Sequence, residues 1–118
     1  MKAVVLPVKT ISEMNARGHW SAKARRAKAQ RWAARALCPT SKLPCVVRMT
    51  RLSPGSLDDD NLRSALKATR DGIADRLGVD DRDPRVRWEY GQEPCRRGEF
   101  GVRIEIKPQG EYQPGETA

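Results

Sequence analysis

The sequence from Leu57 to Gly78, LDDDNLRSALKATRDGIADRLG, decides the expected fold more than any other part of the chain. Its apolar side chains recur every three or four residues, which predicts an amphipathic helix that begins within Asp58–Asn61 and ends at Leu77. Gly78 suits the position that follows a helix, because glycine adopts the left-handed conformation there without strain. The stripe expected to be buried comprises Leu62, Ala65, Leu66, Thr69, Ile73 and Leu77.

Apolar runs on either side of this helix predict further regular elements. Ser21 is a suitable N-cap for another helix that runs to about Leu37, where Pro39 stops it. The order strand, helix, strand, helix, strand, strand favours an α+β fold, a small mixed sheet with two helices packed on one face. We expect a single domain over residues 1–107 and, over residues 108–118, a disordered tail. The four predicted strands cover residues 2–8, 43–52, 85–92 and 100–107.

The overall composition is that of a small and strongly basic chain. It has 118 residues, 38% of them hydrophobic, and a net charge of +8, which is typical of a soluble globular domain. It has no apolar run of about 20 residues and no signal peptide pattern, so we expect a cytoplasmic protein with no membrane partner. Three widely spaced cysteines and a single histidine argue against a disulfide framework and a zinc site.

The charge is unevenly distributed along the chain. Residues 1–52 contain twelve Lys or Arg and one acid, whereas residues 58–83 contain eight Asp and five basic residues. A basic half beside a short acidic segment suggests a polyanionic partner together with a cation site. A basic but inert surface is the alternative, and charge alone does not decide between the two.

The first predicted helix is rich in alanine and arginine. A helical wheel places a basic stripe opposite a small-residue stripe that could be buried, with Trp32 at the edge. Such a basic stripe can neutralise DNA phosphates, although a solvated helix face is the simpler interpretation. Trp20 and Trp32 could stack on bases, but a Trp near a helix end more often packs against the protein. The small-residue stripe is Ala22, Ala29, Ala33, Ala36 and Leu37, and the candidate DNA-binding stripe is Arg25, Lys28, Arg31 and Arg35.

Three adjacent carboxylates stand at the start of the second helix, at positions 58–60. One Asp is enough to cap a helix, and clustered carboxylates supply the oxygen ligands that Mg²⁺ or Mn²⁺ prefers. Helical spacing places Ser64, Lys67 and Asp71 on the same face as Asp60. Lys67 then either forms a weak surface ion pair with Asp71 or provides a positive charge beside the metal carboxylates.

A second acidic group, Asp80, Asp81 and Asp83, follows the helix. Because a helix from Asp60 to Leu77 is about 26 Å long, Asp81 can join the first group within one chain only if the next strand runs back towards the start of the helix. A carboxylate from a second subunit could also close the gap.

The residues from about Leu57 to Val86 resemble the RusA family of Holliday-junction resolvases. The resemblance is carried by Asp58-Asp59-Asp60-Asn61, by Lys67 with Asp71-Gly72-Ile73 downstream, and by Asp80-Asp81. It implies a RusA-like fold and a homodimer that binds four-way DNA junctions in recombination and repair. It also implies that the enzyme cuts two strands symmetrically with Mg²⁺ or Mn²⁺.

Carried over by position, the resemblance makes Asp58, Asp60 and Asp81 the catalytic acids and metal ligands, and Lys67 the catalytic lysine. Ser64 is the alternative to Lys67 if no gap is allowed, and Asp80 or Asp83 could replace Asp81. Two other functions remain open: a non-catalytic nucleic-acid-binding protein whose acids only cap a helix, and an interaction protein whose basic face meets an acidic partner.

Overall fold

The computed structural model describes residues 1–10 and 20–109. In this part of the chain four strands and two helices alternate in the predicted order. They are β1 (Lys2–Leu6), α1 (Trp20–Leu37), β2 (Cys45–Ser53), α2 (Asp59–Leu77), β3 (Val86–Pro94) and β4 (Gly101–Pro108).

The four strands form one mixed sheet in the order β1-β4-β2-β3. Strand β4 pairs antiparallel with both β1 and β2, whereas β2 and β3 pair in parallel. A parallel pair needs a crossover connection, and α2 supplies it. Strand β3 therefore runs antiparallel to α2, although Asp81, which precedes this strand, lies beside Lys67 and not at the start of the helix.

Both helices pack on one face of the sheet, so the α+β expectation is confirmed. Alternate residues of the strands point towards the helices and are buried with apolar residues of α1 and α2. This places the hydrophobic core between the sheet and the helices. The buried cluster comprises Leu6, Ala34, Cys38, Cys45, Val47, Met49, Leu62, Leu66, Ile73, Val86, Val102, Ile104 and Ile106.

Helix α2 has the bounds and the caps that the sequence predicts. Asp58 is its N-cap, with the side chain accepting a hydrogen bond from the backbone N–H of Asn61. Gly78 ends the helix with φ of 72°, and its N–H group donates to the backbone carbonyls of Ala74 and Asp75 in the last turn. The predicted stripe is buried from Leu62 to Ile73, and Leu77 is partly buried.

Helix α1 is rotated from its predicted orientation. Its buried residues are Gln30 and Ala34, whereas Ala29, Ala36 and Leu37 of the predicted small-residue stripe are exposed. The reason is the close approach of α2: a Cβ atom built on Gly72 would lie 2.7 Å from the Cβ of Ala34. Contact of the two backbones, rather than the weak apolar pattern of α1, sets which face is buried.

Smaller differences lie at the ends of the strands. Strand β1 ends at Leu6, and Phe100 precedes β4 with its side chain 47% exposed. Pro108 closes β4 and therefore belongs to the sheet rather than to the predicted tail, whereas residues 110–118 lie outside the described residues. Neither of the two described helices combines the length and the apolar character that a bilayer crossing requires.

Candidate active site and nucleic-acid interface

The first part of the candidate active site is the N-terminus of α2. The Asp58 carboxylate accepts two hydrogen bonds through Oδ1, from the backbone N (2.9 Å) and from the side-chain Nδ2 (2.8 Å) of Asn61. Asp59 and Asp60 are exposed in the first turn, and within residues 1–10 and 20–109 neither carboxylate makes a hydrogen bond or an ion pair. One oxygen of Asp58 and both oxygens of Asp60 are thus accessible to a ligand.

This end of α2 is attached to the sheet by a side chain from β3. The Gln92 side-chain oxygen accepts a hydrogen bond from the backbone N of Leu57 at 2.9 Å, and its nitrogen donates to the Leu57 carbonyl at 2.7 Å. A paired amide contact of this kind holds the residue that precedes the N-cap. The carboxylates of the first turn are therefore presented by an anchored helix end rather than by a free loop.

The second part of the site forms where the chain returns after α2. The Lys67 ammonium donates to Asp71 at 2.8 Å and to Asp81 at 3.4 Å. The hydrogen bond from Lys67 to Asp71, together with the negative charges of Asp71 and Asp81, raises the pKa of Lys67. Partial desolvation acts to raise the pKa of Asp81, but the nearby Lys67 and Arg70 charges lower it overall. Lys67 is thus held charged beside two carboxylates.

Arg70 joins the Asp81 loop to β3. Its Nη2 donates to the Asp81 carbonyl at 2.6 Å and its Nη1 donates to the Tyr90 hydroxyl at 2.9 Å. The guanidinium lies 4.6 Å from the ring centroid of Trp88, within cation–π range. Its Nε is 3.8 Å from a carboxylate oxygen of Asp81. A single partly buried cation therefore fixes where Asp81 stands relative to Lys67.

The other two acids of the loop are engaged locally. The Asp80 carboxylate accepts a hydrogen bond from the backbone N of Arg82 at 2.9 Å. Asp83 forms a two-point ion pair with Arg85, at 2.7 and 3.0 Å, and Arg85 lowers the pKa of Asp83 to about 2. Among the three alternatives for the third acid, only Asp81 contacts Lys67 in the described residues.

The predicted acids do not all meet in one place. Within residues 1–10 and 20–109, no three Asp, Glu, His or Cys side chains lie close enough to hold one ion together. The seven residues from Asp60 to Lys67 correspond to about 10 Å along the helix axis, and Asp81 lies at the level of Lys67. Asp58 and Asp60 form one group and Asp81 belongs to another, with Lys67 between them.

The two carboxylates of the first group suit a hard divalent cation by their number and their exposure. Mg²⁺ commonly takes only one or two protein carboxylates and completes its octahedral shell with water and phosphate oxygens. Asp58 and Asp60 provide that number of carboxylates at an anchored and accessible helix end. Asp81 does not fit as a third ligand of the same ion within one chain.

The basic stripe of α1 is placed in part as predicted. Arg25, Lys28 and Arg35 are exposed. Arg31 is exposed as well, but it turns towards α2 and forms a two-point ion pair with Asp75, at 2.7 and 2.9 Å. All four predicted cations therefore lie at the surface, and the charge of Arg31 is paired with that of Asp75.

Sequence reasoning missed Arg70, Tyr90 and Gln92 as parts of the site. Trp88 and Tyr90 lie on one face of β3, since they pair in register with the buried Val47 and Met49. The missing information was that β3 lies parallel to β2, which brings this face beside α2. A strand–helix–strand order is the signal that could have suggested it.

No protein-family model matches the chain, and a search of curated proteins finds no significant relative. The resemblance to RusA resolvases thus rests on the motif residues of the sequence.

Proposed function

We propose that the protein is a RusA-like endonuclease that cuts branched DNA, with four-way junctions as its preferred substrate and Mg²⁺ or Mn²⁺ as its cofactor. The observation that carries the proposal is the exposed face of α2. Asp60, Lys67 and Asp71 share this face, and the return loop adds Asp81 to it. An enzyme acting on chromosomal or phage DNA would work in the cytoplasm.

The Asp58 and Asp60 carboxylates would hold the cation at the start of α2. A divalent ion supplies Lewis-acid stabilisation of a phosphoryl oxygen and lowers the pKa of water bound to it. The Lys67 ammonium, about two turns along the same face, would stabilise negative charge that develops on the phosphate. Asp71 and Asp81 keep that ammonium charged and oriented before DNA binds.

Asp81 acts, in this proposal, mainly through Lys67. Asp81 could act as a third metal ligand only if a second copy of the chain brought its carboxylate near Asp58 and Asp60. A homodimer would present two equal sites, which matches the two-fold symmetry of a four-way junction. The exposed cations of α1 would supply affinity for DNA phosphates without reading the base sequence.

Substitution of Asp60 tests the assignment, and Asp59 provides a matched control. Both carboxylates are exposed in the first turn of α2, and Asn removes one negative charge from either. We expect Asp60→Asn to bind a synthetic four-way junction like wild type and to lose Mg²⁺-dependent cleavage. Asp59→Asn should bind and cleave normally. Continued cleavage by Asp60→Asn, or equal loss in both variants, would contradict the proposal.

A non-catalytic DNA-binding protein is the second candidate function. It is favoured by the capping role of Asp58 and by the lack of a three-ligand group among the described residues. Calorimetric titration with Mg²⁺ separates the two candidates. The nuclease predicts saturable binding that Asp60→Asn abolishes, whereas a purely capping role predicts no saturable binding.

A further inference from the structure

Helix α1 exposes a tryptophan at the middle of its outer face. The Trp32 side chain is 65% exposed, and its ring has no hydrogen-bond or cation–π partner in the described parts of the chain. Because Gln30 and Ala34 define the buried side, Trp32 points away from the core instead of lying at the edge of the basic stripe. A tryptophan ring offers a large flat apolar surface with one polar N–H group, which is why tryptophan is enriched at interfaces.

The exposed ring lies within a row of cations. Arg25, Lys28, Trp32 and Arg35 follow one another at intervals of three, four and three residues, which places them on one helix face. Arg25 and Lys28 are exposed and make no ion pair with any described residue. Arg35 lies close enough to lower the pKa of Asp75 but remains exposed. The row is thus complementary to a polyanion that also offers flat apolar rings.

The helix that carries this row is held rigidly. The backbone of α1 contacts α2 at Gly72, where a Cβ would lie closer to the Arg31 carbonyl than ordinary contact allows. The ion pair of Arg31 with Asp75 and the burial of Ala34 add side-chain contacts at the same crossing. An aromatic side chain on such a fixed element loses little further freedom when a base stacks on it.

We propose that Trp32 is a stacking platform for an unpaired base of single-stranded or branched DNA, whose phosphates lie along Arg25, Lys28 and Arg35. From Arg25 to Arg35 the helix rises about 15 Å, which spans roughly four base steps of one strand at 3.4 Å each. Stacking needs a base that is not enclosed in a duplex, so this surface distinguishes open DNA from closed duplex. The inference deepens the proposed function by naming the part of the substrate that α1 contacts.

The test measures binding alone, in EDTA, so that its outcome is independent of metal and of cleavage. The probes are a fluorescently labelled single strand of about 12 nucleotides, a length within the range that single-strand binding sites cover, and the duplex of the same sequence. Stacking is worth about 1–3 kcal/mol per base, so Trp32→Ala should weaken single-strand binding by roughly 5- to 150-fold. Duplex binding should change by less than about two-fold, and Trp32→Phe should retain most of the affinity.

Trp20 is the matched control, since it is an exposed tryptophan of the same helix, 73% exposed and about 120° around the axis from Trp32. Trp20→Ala should bind both probes like wild type. Arg25→Gln should weaken both probes and reduce the dependence of affinity on salt by about one unit of slope. Far-UV circular dichroism confirms that each variant is folded.

Three results would overturn the inference. Equal affinities of wild type and Trp32→Ala for the single strand would show that no base stacks there. If sedimentation showed that the wild type is a homodimer and that Trp32→Ala dissociates it, the ring would belong to an interface with a second copy of the chain. Binding to anionic lipid vesicles that Trp32→Ala abolishes, with DNA binding unchanged, would assign it to a membrane surface. Failure of the nuclease proposal would appear separately, as absent cleavage with stacking intact.

Discussion

Replacing Gly72 by alanine introduces a methyl group into the crossing of α1 and α2. The new Cβ would lie 2.7 Å from the Ala34 Cβ and closer still to the Arg31 carbonyl oxygen, where ordinary contact begins at 3.4 Å. The carbonyl belongs to a helix backbone and cannot move aside by a change of rotamer. The two helices must therefore separate by about 0.7 Å or more.

Two opposing effects set the size of the change in stability. Glycine to alanine inside an open helix stabilises it by about 1 kcal/mol. Overpacking costs about 1–3 kcal/mol, and a backbone clash belongs at the upper end of that range. The net expectation for Gly72→Ala is a loss of about 2 kcal/mol in the free energy of unfolding. For a domain of this size the loss corresponds to a decrease in Tm of roughly 8 °C.

Urea unfolding followed by tryptophan fluorescence measures this change, and Gly55→Ala is the control. A Cβ on Gly55 meets nothing within 4 Å, so that variant should unfold within about 0.5 kcal/mol of wild type. If Gly72→Ala were as stable as wild type or more stable, the close approach of the two helices, and with it the orientation of α1, would be refuted.

Three further predictions follow from the surroundings of single side chains. Arg85 lowers the pKa of Asp83 from 3.8 to about 2. The pair therefore stabilises the fold above pH 3.8, and this contribution is lost as the pH falls towards 2. Unfolding curves recorded between these pH values should show a smaller loss of stability for Asp83→Asn than for wild type. Burial raises the pKa of the Cys38 thiol to about 11, so a thiol reagent such as DTNB should label the partly exposed Cys95 first and Cys38 only on unfolding. Fast labelling of Cys38 in the native state would show that it is not buried. Arg70→Lys cannot reproduce the two hydrogen bonds and the ring contact of the guanidinium; we expect a lower Tm and a loss of cleavage with junction binding retained, and unchanged cleavage would rule out a positioning role.

The helix that carries the candidate site was predictable because its signals are local. The N-cap of α2 at Asp58 and the left-handed Gly78 bound a repeat of large apolar residues, and each feature acts within one helical turn. The same spacing correctly placed Lys67 and Asp71 on one face, and the structure contains the Lys67–Asp71 ion pair that was one of the two alternatives for Lys67.

The orientation of α1 and the position of Asp81 depend on distant contacts and were not predictable in the same way. Alanine and arginine give α1 little apolar asymmetry, so packing at Gly72 decides which face is buried. Asp81 reaches Lys67 because Arg70 holds the return loop against β3, which is known only once β3 is paired with β2. Both features require knowledge of which elements become neighbours in the sheet and helix layers.

Cleavage of a synthetic four-way junction, measured beside a linear duplex of the same sequence with and without Mg²⁺, tests the proposed function most directly. The proposal predicts paired symmetrical cuts in the junction, dependent on Mg²⁺ or Mn²⁺, while the linear duplex stays intact. A junction that is bound but never cut with either metal, or a duplex cut as fast as the junction, would contradict it.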